Sequence, residues 1–198
     1  WIHTGHLYID GLKMSKSLKN FISIEDYLSG RWRASPPSSL NTTVLRRDAA
    51  DDLRLFFLQH KYHSSLHFST DRIDEARQWR IKVNNTLDLI QEIVSDDERR
   101  SSVVGNTCRK KRLNAGGFRL AEQLRLCQAD VDSALRDDFD TPRALNSLSG
   151  LCSGANVYAA EVLDDSSVSV APLPAVHQYV VSTLEMFGLS FLDSLRVS

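Results

Sequence analysis

The sequence predicts a mainly α-helical protein that contains a helical bundle, and three observations lead to this fold class. Apolar residues recur every three or four positions through much of the chain after residue 69. The pair Thr141-Pro142 is typical of a helix start, and Gly188 is typical of a helix end. The 198 residues are 42% hydrophobic and 25% charged, which is typical of globular proteins and excludes collagen-like and wholly disordered classes.

Short, mixed elements are predicted at the start of the chain. Apolar alternation over residues 1–9 indicates a short strand or hairpin, and a turn followed by a polar loop is expected over residues 10–18. A second short strand is predicted at residues 21–24. It leads into a short helix with Glu25 and Asp26 in its first turn, where acidic side chains favour helix starts.

A small α/β region is expected to continue up to the bundle. Residues 29–43 are rich in proline and serine, which predicts a surface insertion. The spacing of the apolar residues Leu53, Phe56 and Phe57 predicts a short helix over residues 49–59.

Four amphipathic helices are predicted after residue 69. The first has Thr70 as its cap, and Arg80 interrupts its apolar stripe. Residues 95–117 lose the helical period and are expected to form a long polar loop. The other helices are expected at residues 118–136, from Thr141 as N-cap with Pro142 at the first position up to a linker at 164–174, and at 175–187. Because each helix has one apolar face, the four should pack as a bundle.

The predicted core positions of the bundle are Ile73, Ala76, Val83, Leu87, Ile90, Val94, Leu120, Leu124, Cys127, Val131, Leu135, Leu145, Leu148, Cys152, Ala155, Ala159, Val162, Val176, Val180, Leu184 and Phe187.

The charge is unevenly distributed along the chain. Residues 1–119 carry 20 Lys and Arg against 14 Asp and Glu, whereas residues 120–198 carry 4 against 11. This distribution favours a polyanionic partner on one side of the protein, and an ordinary solvated surface explains it equally well.

Cysteine usage and hydropathy exclude two classes of protein. The three cysteines, Cys108, Cys127 and Cys152, form no CxxC motif, which argues against a disulfide framework and favours core roles for the last two. No apolar run has the length of about 18 residues that a membrane span needs, and no signal peptide is recognisable.

The segment Lys13-Met14-Ser15-Lys16-Ser17 carries the sharpest chemical signal. Two lysines in a loop rich in small hydroxyl residues supply charges and donors for phosphate oxygens, and Met14 offers a soft apolar contact to a nucleobase. A solvated basic loop is the alternative interpretation of the same residues.

The flanking residues make this segment resemble the second signature motif of class I aminoacyl-tRNA synthetases. The run from Trp1 through His3-Thr4-Gly5-His6-Leu7, followed by the lysine segment and Asn20-Phe21, is similar to cysteinyl-tRNA synthetases. The resemblance continues through residues 53–69 and 134–145. Lys19 stands where many bacterial members have glycine, and Tyr62-His63-Ser64-Ser65 replaces a Tyr-Arg-Ser-Pro string, so the chain resembles eukaryotic members more closely.

The resemblance implies a domain organisation. Residues 1–20 would be the last piece of a Rossmann nucleotide-binding domain with its signature loop, and residues 21–70 a connecting region against the inner tRNA stem. Residues 71–198 would be a helical bundle of the type that binds the anticodon stem.

The resemblance also implies a reaction. The enzymes join cysteine to ATP, with Mg²⁺ accompanying the ATP, and transfer the cysteinyl group from cysteinyl-adenylate to tRNA(Cys). Lys16 would be the main catalytic and ATP contact and Lys13 the second, while Met14 and Ser15 would lie near the adenosine and Ser17 would hold the loop. Cysteine, ATP and tRNA(Cys) are the expected partners, with no membrane or DNA, and a cytoplasmic location is expected.

The chain is expected to be an incomplete part of such an enzyme and to be inactive alone. It begins with Trp1 and contains no first signature motif. Zinc is expected in the full-length enzyme, with ligands that this chain does not contain. His3 and His6 have no nearby cysteine or carboxylate at ligand spacing, so no metal site is predicted here.

Several clusters outside the loop have two interpretations. Arg46, Arg47, Lys61 and the run Arg109, Lys110, Lys111, Arg112 could contact tRNA phosphates or be solvated surface. Asp137, Asp138 and Asp140 could form a paired-carboxylate site, although a helix entry explains them better. Two further functions remain open: a related ligase joining cysteine to an amino sugar, and a non-catalytic tRNA-binding module.

Overall fold

The computed structural model describes residues 1–9, 11–32, 42–104 and 111–189. The chain divides into two compact units. The N-terminal unit comprises Trp1–Arg80 and takes in Gly188 and Leu189, and the helical unit comprises Ile81–Phe187. The described residues form six helices and three short strands, which confirms the predicted mainly α fold with a small α/β region.

A three-stranded sheet lies in the N-terminal unit, in the order β2-β1-β3. Strand β1 (Leu7–Ile9) forms an antiparallel hairpin with β2 (Leu12–Lys13). The strand predicted within residues 1–9 is therefore confirmed, whereas β2 lies in the segment predicted to be a turn and a loop. Strand β3 (Leu66–Phe68) pairs with β1 in parallel. Sequence periodicity did not predict β3, because its pairing joins residues about sixty positions apart.

Helix α1 (Ile24–Leu28) follows the hairpin, and Ser23 caps it by accepting a hydrogen bond from the backbone N–H of Asp26 at 3.0 Å. The strand predicted at residues 21–24 is wrong, because Ser23 commits the chain to a helix start. Helix α2 (Thr42–Leu58) begins earlier than predicted. Of the predicted insertion at residues 29–43, residues 33–41 lie outside the described residues.

The buried face of α2 combines apolar and charged side chains. Leu55 and Phe56 are fully buried, whereas Phe57 is 41% exposed. The carboxylates Asp51 and Asp52 are also fully buried on this helix. Charged side chains therefore occupy part of the face that packs inward.

Helix α3 (Thr70–Val104) is the longest helix and crosses the division between the units. Its start is capped by Ser69, whose Oγ accepts from the backbone N–H of Arg72 at 3.3 Å, and not by Thr70. The predicted loop at residues 95–117 is wrong for residues 95–104, which are helical. A polar helix turn needs no apolar period, and the pair Asp96–Arg99 at 3.3 Å supports it.

Three further helices complete the helical unit. Helix α4 (Ala115–Arg136) begins three residues earlier than predicted, and Asn114 caps it by accepting from the backbone N–H of Gly117 at 2.8 Å. Helix α5 (Thr141–Asp164) begins one residue earlier than predicted, and its cap is Asp140, which accepts from the backbone N–H of Arg143 at 3.3 Å. Thr141 and Pro142 are therefore the first two helical positions.

Helix α6 (Pro172–Met186) is followed by Gly188 with a φ of +77°, the left-handed conformation predicted for a residue just beyond a helix end. The helix begins at Pro172, inside the predicted linker at residues 164–174. No described helix is both long and apolar enough to cross a membrane.

The apolar stripes of the four long helices meet the predictions at most positions. The predicted residues that are buried are Ile73, Ala76, Val83, Leu87, Ile90, Leu120, Cys127, Val131, Leu145, Leu148, Cys152, Ala155, Ala159, Val162, Val176, Val180 and Leu184. Val94, Leu124, Leu135 and Phe187 are only half-buried. Burial raises the pKa of the Cys152 thiol to about 12 and that of Cys127 to about 11, as befits core residues.

Candidate functional site

The lysine loop, defined here as residues 13–20, leaves the sheet at the end of β2. Lys13 is the last residue of β2, and the backbone N–H of Met14 donates to the carbonyl of Leu7 in β1 at 2.9 Å. The start of the loop is therefore fixed by both strands, because Lys13 belongs to β2 and Met14 bonds to β1.

A compact turn carries Lys16. The hydroxyl oxygen of Ser15 accepts from the backbone N–H of Leu18 at 3.2 Å, and the backbone N–H of Lys19 donates to the carbonyl of Lys16 at 3.2 Å. The hydroxyls of Ser15 and Ser17 lie 3.2 Å apart. Serine side chains that bond to nearby backbone groups in this way stabilise tight turns.

Lys19 has a φ of +53°, in the left-handed region that favours glycine. The turn requires the conformation, and lysine adopts it here at some cost in conformational energy.

The loop contains three lysines, Lys13 at the end of β2, Lys16 in the turn and Lys19 after it, and all three are exposed. Within the part of the chain that the structure describes, no carboxylate pairs with the ammonium group of Lys13 or Lys16. Met14 and Ser15 between these two are half-buried. The loop therefore presents positive charge from its base and from its turn, which suits binding of phosphate oxygens.

Side chains outside the predicted motif residues also shape the loop. Asn20 bonds to the backbone on the opposite limb, accepting from the N–H of Ser15 and donating to the carbonyl of Lys13. In the sequence, Asn20 is recognisable only as part of the motif. Its contacts across the loop depend on a three-dimensional turn that periodicity does not reveal.

Asp52 is a second polar group that the sequence analysis missed. Its fully buried carboxylate accepts from the Nε of Arg77 at 3.0 Å and from the Nε of Arg80 at 2.7 Å. Burial alone would lower the pKa of Arg80, but the hydrogen bond to Asp52 and the charges of Asp52, Asp48 and Asp51 raise it. The sequence feature that could have indicated this buried carboxylate is Arg80, because it places a charge within the apolar stripe of α3.

The predicted tRNA candidates in the N-terminal unit lie on and after α2. Arg46 is exposed and pairs with Glu25, and Arg47 on the same helix is half-buried. Lys61 is exposed in the segment that leads to β3.

The remaining tRNA candidates lie in or beside the helical unit. Lys111 is half-buried and pairs with Asp97 of α3, whereas Arg112 is exposed. The backbone of Arg112 bonds to Ser167 and Ser169 at 3.1 Å each. Arg109 and Lys110 lie outside the described residues.

His6, Asp138 and Asp140, which lie in the predicted site clusters, have structural roles. The carbonyl of His6 accepts from the backbone N–H of Leu66 at 2.9 Å, which helps to hold β3 against β1. Asp140 caps α5, and Asp138 has a φ of +55° in the tight entry to that helix. No group of three or more His, Cys, Asp or Glu residues in the described ranges is arranged to hold a metal ion.

The first comparison with known proteins concerns the segment that contains the lysine loop. The family model described as tRNA synthetases class I (C) catalytic domain matches residues 1–35, which contain β1, β2 and the whole lysine loop. The class I assignment of the motif therefore rests on more than its five residues.

The second comparison finds relatives that are named as cysteine–tRNA ligases. The chain is 31% identical over 196 residues to the cytoplasmic cysteine–tRNA ligase of Drosophila melanogaster and 30% identical over 192 residues to that of Drosophila pseudoobscura. Each match covers 95% of this chain and 22% of the relative. The cysteine–tRNA ligase of Thermococcus gammatolerans is 30% identical over 162 residues, covering 82% of this chain and 28% of the relative.

The resemblance to cysteinyl-tRNA synthetases is thus confirmed along nearly the whole chain. The chain spans about a fifth of the length of the first two relatives named above.

Proposed function

We propose that this protein takes part in the ATP-dependent ligation of cysteine to tRNA(Cys), and that the lysine loop serves the step that consumes ATP. One observation carries the proposal: the exposed Lys13 and Lys16 stand at the base and in the turn of a loop within the segment that matches class I synthetases. The names of the relatives supply cysteine as the amino acid and a cytoplasmic location.

In the proposed reaction, the carboxylate oxygen of cysteine attacks the α-phosphorus of ATP. The bond from that phosphorus to the bridging oxygen breaks, pyrophosphate leaves with the electron pair, and cysteinyl-adenylate forms. A hydroxyl at the 3′ end of tRNA(Cys) then attacks the cysteinyl carbonyl and releases AMP. Mg²⁺ enters as part of the ATP substrate.

Lys16 is the group we assign to the charge that develops on the leaving pyrophosphate, with Lys13 second. A donor whose contact strengthens as charge moves onto the phosphate oxygens lowers the barrier more than it strengthens ground-state binding. Met14 and Ser15 are assigned to the adenosine, and Ser17 to holding the turn beside Ser15. Zinc has no fitting site among the described residues, so no step is assigned to it.

The assignment of Lys16 is tested by Lys16→Ala in the intact natural protein. We expect cysteine-dependent exchange of pyrophosphate into ATP to fall at least about tenfold, because one charged contact to the transition state is lost. Lys82→Ala, which removes an exposed lysine on α3, is the matched control and should leave the exchange rate unchanged. An unchanged rate in Lys16→Ala would refute the proposed function of the loop.

The tRNA contacts are proposed at Arg46, Arg47, Lys61 and the run from Arg109 to Arg112. Because the ammonium of Lys111 is already paired with Asp97, we expect Lys111 to contribute least among those described. Charge-reducing variants should weaken tRNA binding and flatten its salt dependence. Transfer of cysteine to tRNA by the intact protein separates this function from a ligase that uses an amino sugar and from a non-catalytic tRNA-binding module.

A further inference from the structure

Asn20 joins the two limbs of the lysine loop. Its Oδ1 accepts a hydrogen bond from the backbone N–H of Ser15 at 3.0 Å, and its Nδ2 donates to the carbonyl of Lys13 at 3.3 Å. A carboxamide is both acceptor and donor, so one side chain satisfies two backbone groups of opposite kind. Asn20 is half-buried, whereas Lys16 is exposed.

The segment that Asn20 binds, residues 13–15, is also hydrogen-bonded to the sheet. Between the two backbone groups that it binds lies Met14, whose N–H donates to Leu7 in β1 at 2.9 Å. Three successive residues, 13 to 15, are thus each fixed by a hydrogen bond. These three hydrogen bonds are called the clamp below. The clamp fixes residues 13–15 both to Asn20 and to strand β1.

The path of the chain from Lys16 back to Asn20 makes this grip possible. The positive φ of Lys19 reverses the backbone immediately before Asn20, and the bond from Lys19 N–H to Lys16 carbonyl closes the turn. The side chain of Asn20 therefore closes the loop by joining its last residue to the backbone at its start. Lys13 lies at this closed end, and Lys16 lies in the turn.

We propose that Asn20 is a positioning residue that holds Lys13 and Lys16 in a fixed relation to each other, so that both charges reach the phosphates together. This inference rests on the proposed function of the loop. Prearranged charges lower the barrier because no reorganisation is needed when the transition state forms. Asn20 itself acts through the backbone and is not assigned a contact to ATP.

The activity test compares Asn20→Ala and Asn20→Asp in the intact natural protein. In Asn20→Ala we expect kcat of pyrophosphate exchange, normalised to active sites by titration, to fall about three- to tenfold. KM for cysteine should stay unchanged. Asn20→Asp keeps the oxygen that accepts from Ser15 N–H, so it should restore most of the lost rate.

A second readout does not depend on activity. Trypsin cleaves only a backbone that opens locally, so cleavage between Lys16 and Ser17 reports how often the clamp releases the turn. We expect this cleavage to be several-fold faster in Asn20→Ala, close to the original rate in Asn20→Asp, and unaffected by Asn85→Ala, a control at an exposed asparagine of α3. Cleavage after Lys82 serves as an internal reference.

The outcomes separate this inference from the proposed function. Unchanged cleavage after Lys16 in Asn20→Ala would overturn the clamp, and faster cleavage with an unchanged kcat would overturn the positioning role. Equal loss in Asn20→Asp and Asn20→Ala would refute the assignment to the Ser15 N–H. A failure of Lys16→Ala to reduce exchange would instead remove the proposed function, while the trypsin result would still report on the clamp.

Discussion

Different kinds of interaction stabilise the N-terminal unit and the helical unit. In the N-terminal unit, the buried carboxylate of Asp52 binds two arginines, and backbone and side-chain hydrogen bonds shape the lysine loop. In the helical unit, apolar helix faces supply most of the buried residues, and the buried hydroxyls of Thr86, Tyr158 and Thr183 donate to neutral backbone carbonyls.

The contrast has a physical reason. Directional bonds fix the orientation of particular groups, which a loop that presents two lysines requires. Apolar packing is not directional and is proportional to buried area, so it stabilises long helices without specifying individual polar contacts. The two units should therefore respond differently to loss of a charge, loss of a neutral bond and change of pH.

The largest effect should come from Asp52→Asn in the N-terminal unit. The substitution leaves Arg77 and the 11%-exposed Arg80 without their shared carboxylate charge. Breaking a buried ion pair from one side costs about 3–5 kcal/mol of unfolding free energy. Urea unfolding followed by circular dichroism would measure the loss.

The matched control in the same unit is Glu25→Gln, which removes the carboxylate of an exposed pair with Arg46. Exposed ion pairs contribute about 0–1 kcal/mol, so this variant should unfold close to the original midpoint. Equal losses in the two variants would show that burial of Asp52 does not set its contribution.

A smaller effect is expected from Tyr158→Phe in the helical unit. The buried Tyr158 hydroxyl donates to the carbonyl of Ser169 at 2.5 Å, and its loss removes that partner from the carbonyl. The expected cost is about 1–3 kcal/mol, with little dependence on salt because both groups are neutral. Thermal unfolding at low and high salt tests both statements.

Ser182→Ala is the control, because the Ser182 hydroxyl makes an exposed hydrogen bond to the carbonyl of Tyr179 at 3.0 Å. Water replaces an exposed bond, so the midpoint should shift very little. A salt-dependent loss in Tyr158→Phe would contradict the neutral character of the bond between Tyr158 and Ser169.

The smallest effect concerns His177 on α6, whose Nε2 is buried without a hydrogen-bond partner among the described residues. Burial lowers the pKa of His177 below 6.5, and the nearby charge of Asp88 opposes this shift only in part. The unfolded chain then binds a proton more readily than the folded one. Stability is full above pH 6.5 and falls as the pH drops towards the lower folded pKa.

The slope from one such group is at most about 1.4 kcal/mol per pH unit. Unfolding midpoints measured between pH 7 and pH 5 should fall less steeply in His177→Leu than in the unsubstituted protein. Identical slopes would show that His177 does not contribute to the acid sensitivity.

Local patterns predicted those parts of the fold that depend on neighbouring residues. The stripe from Leu145 to Val162 is buried as its spacing requires, and Gly188 ends α6 in the left-handed conformation. The observed caps Ser69 and Asp140 each lie one residue before the predicted cap. Serine, threonine and aspartate all suit the N-cap position, and the sequence does not rank them.

The loop could be predicted in its residues but not in its shape. The lysines and serines of residues 13–17 are recognisable as a motif, and the match of the family model to residues 1–35 agrees with that recognition. The grip of Asn20 on Lys13 and Ser15 depends on a turn with a positive φ at a lysine, which propensity disfavours.

The sequence by itself determined the helix faces, the family resemblance and the identity of the lysine loop, because these depend on residue type at short spacing. Only the tertiary structure decided that Leu66–Phe68 pairs with β1, and that Asp52 meets Arg77 and Arg80 in a buried cluster. Such contacts join residues far apart in the chain. Their free energy depends on burial and geometry that no local pattern encodes.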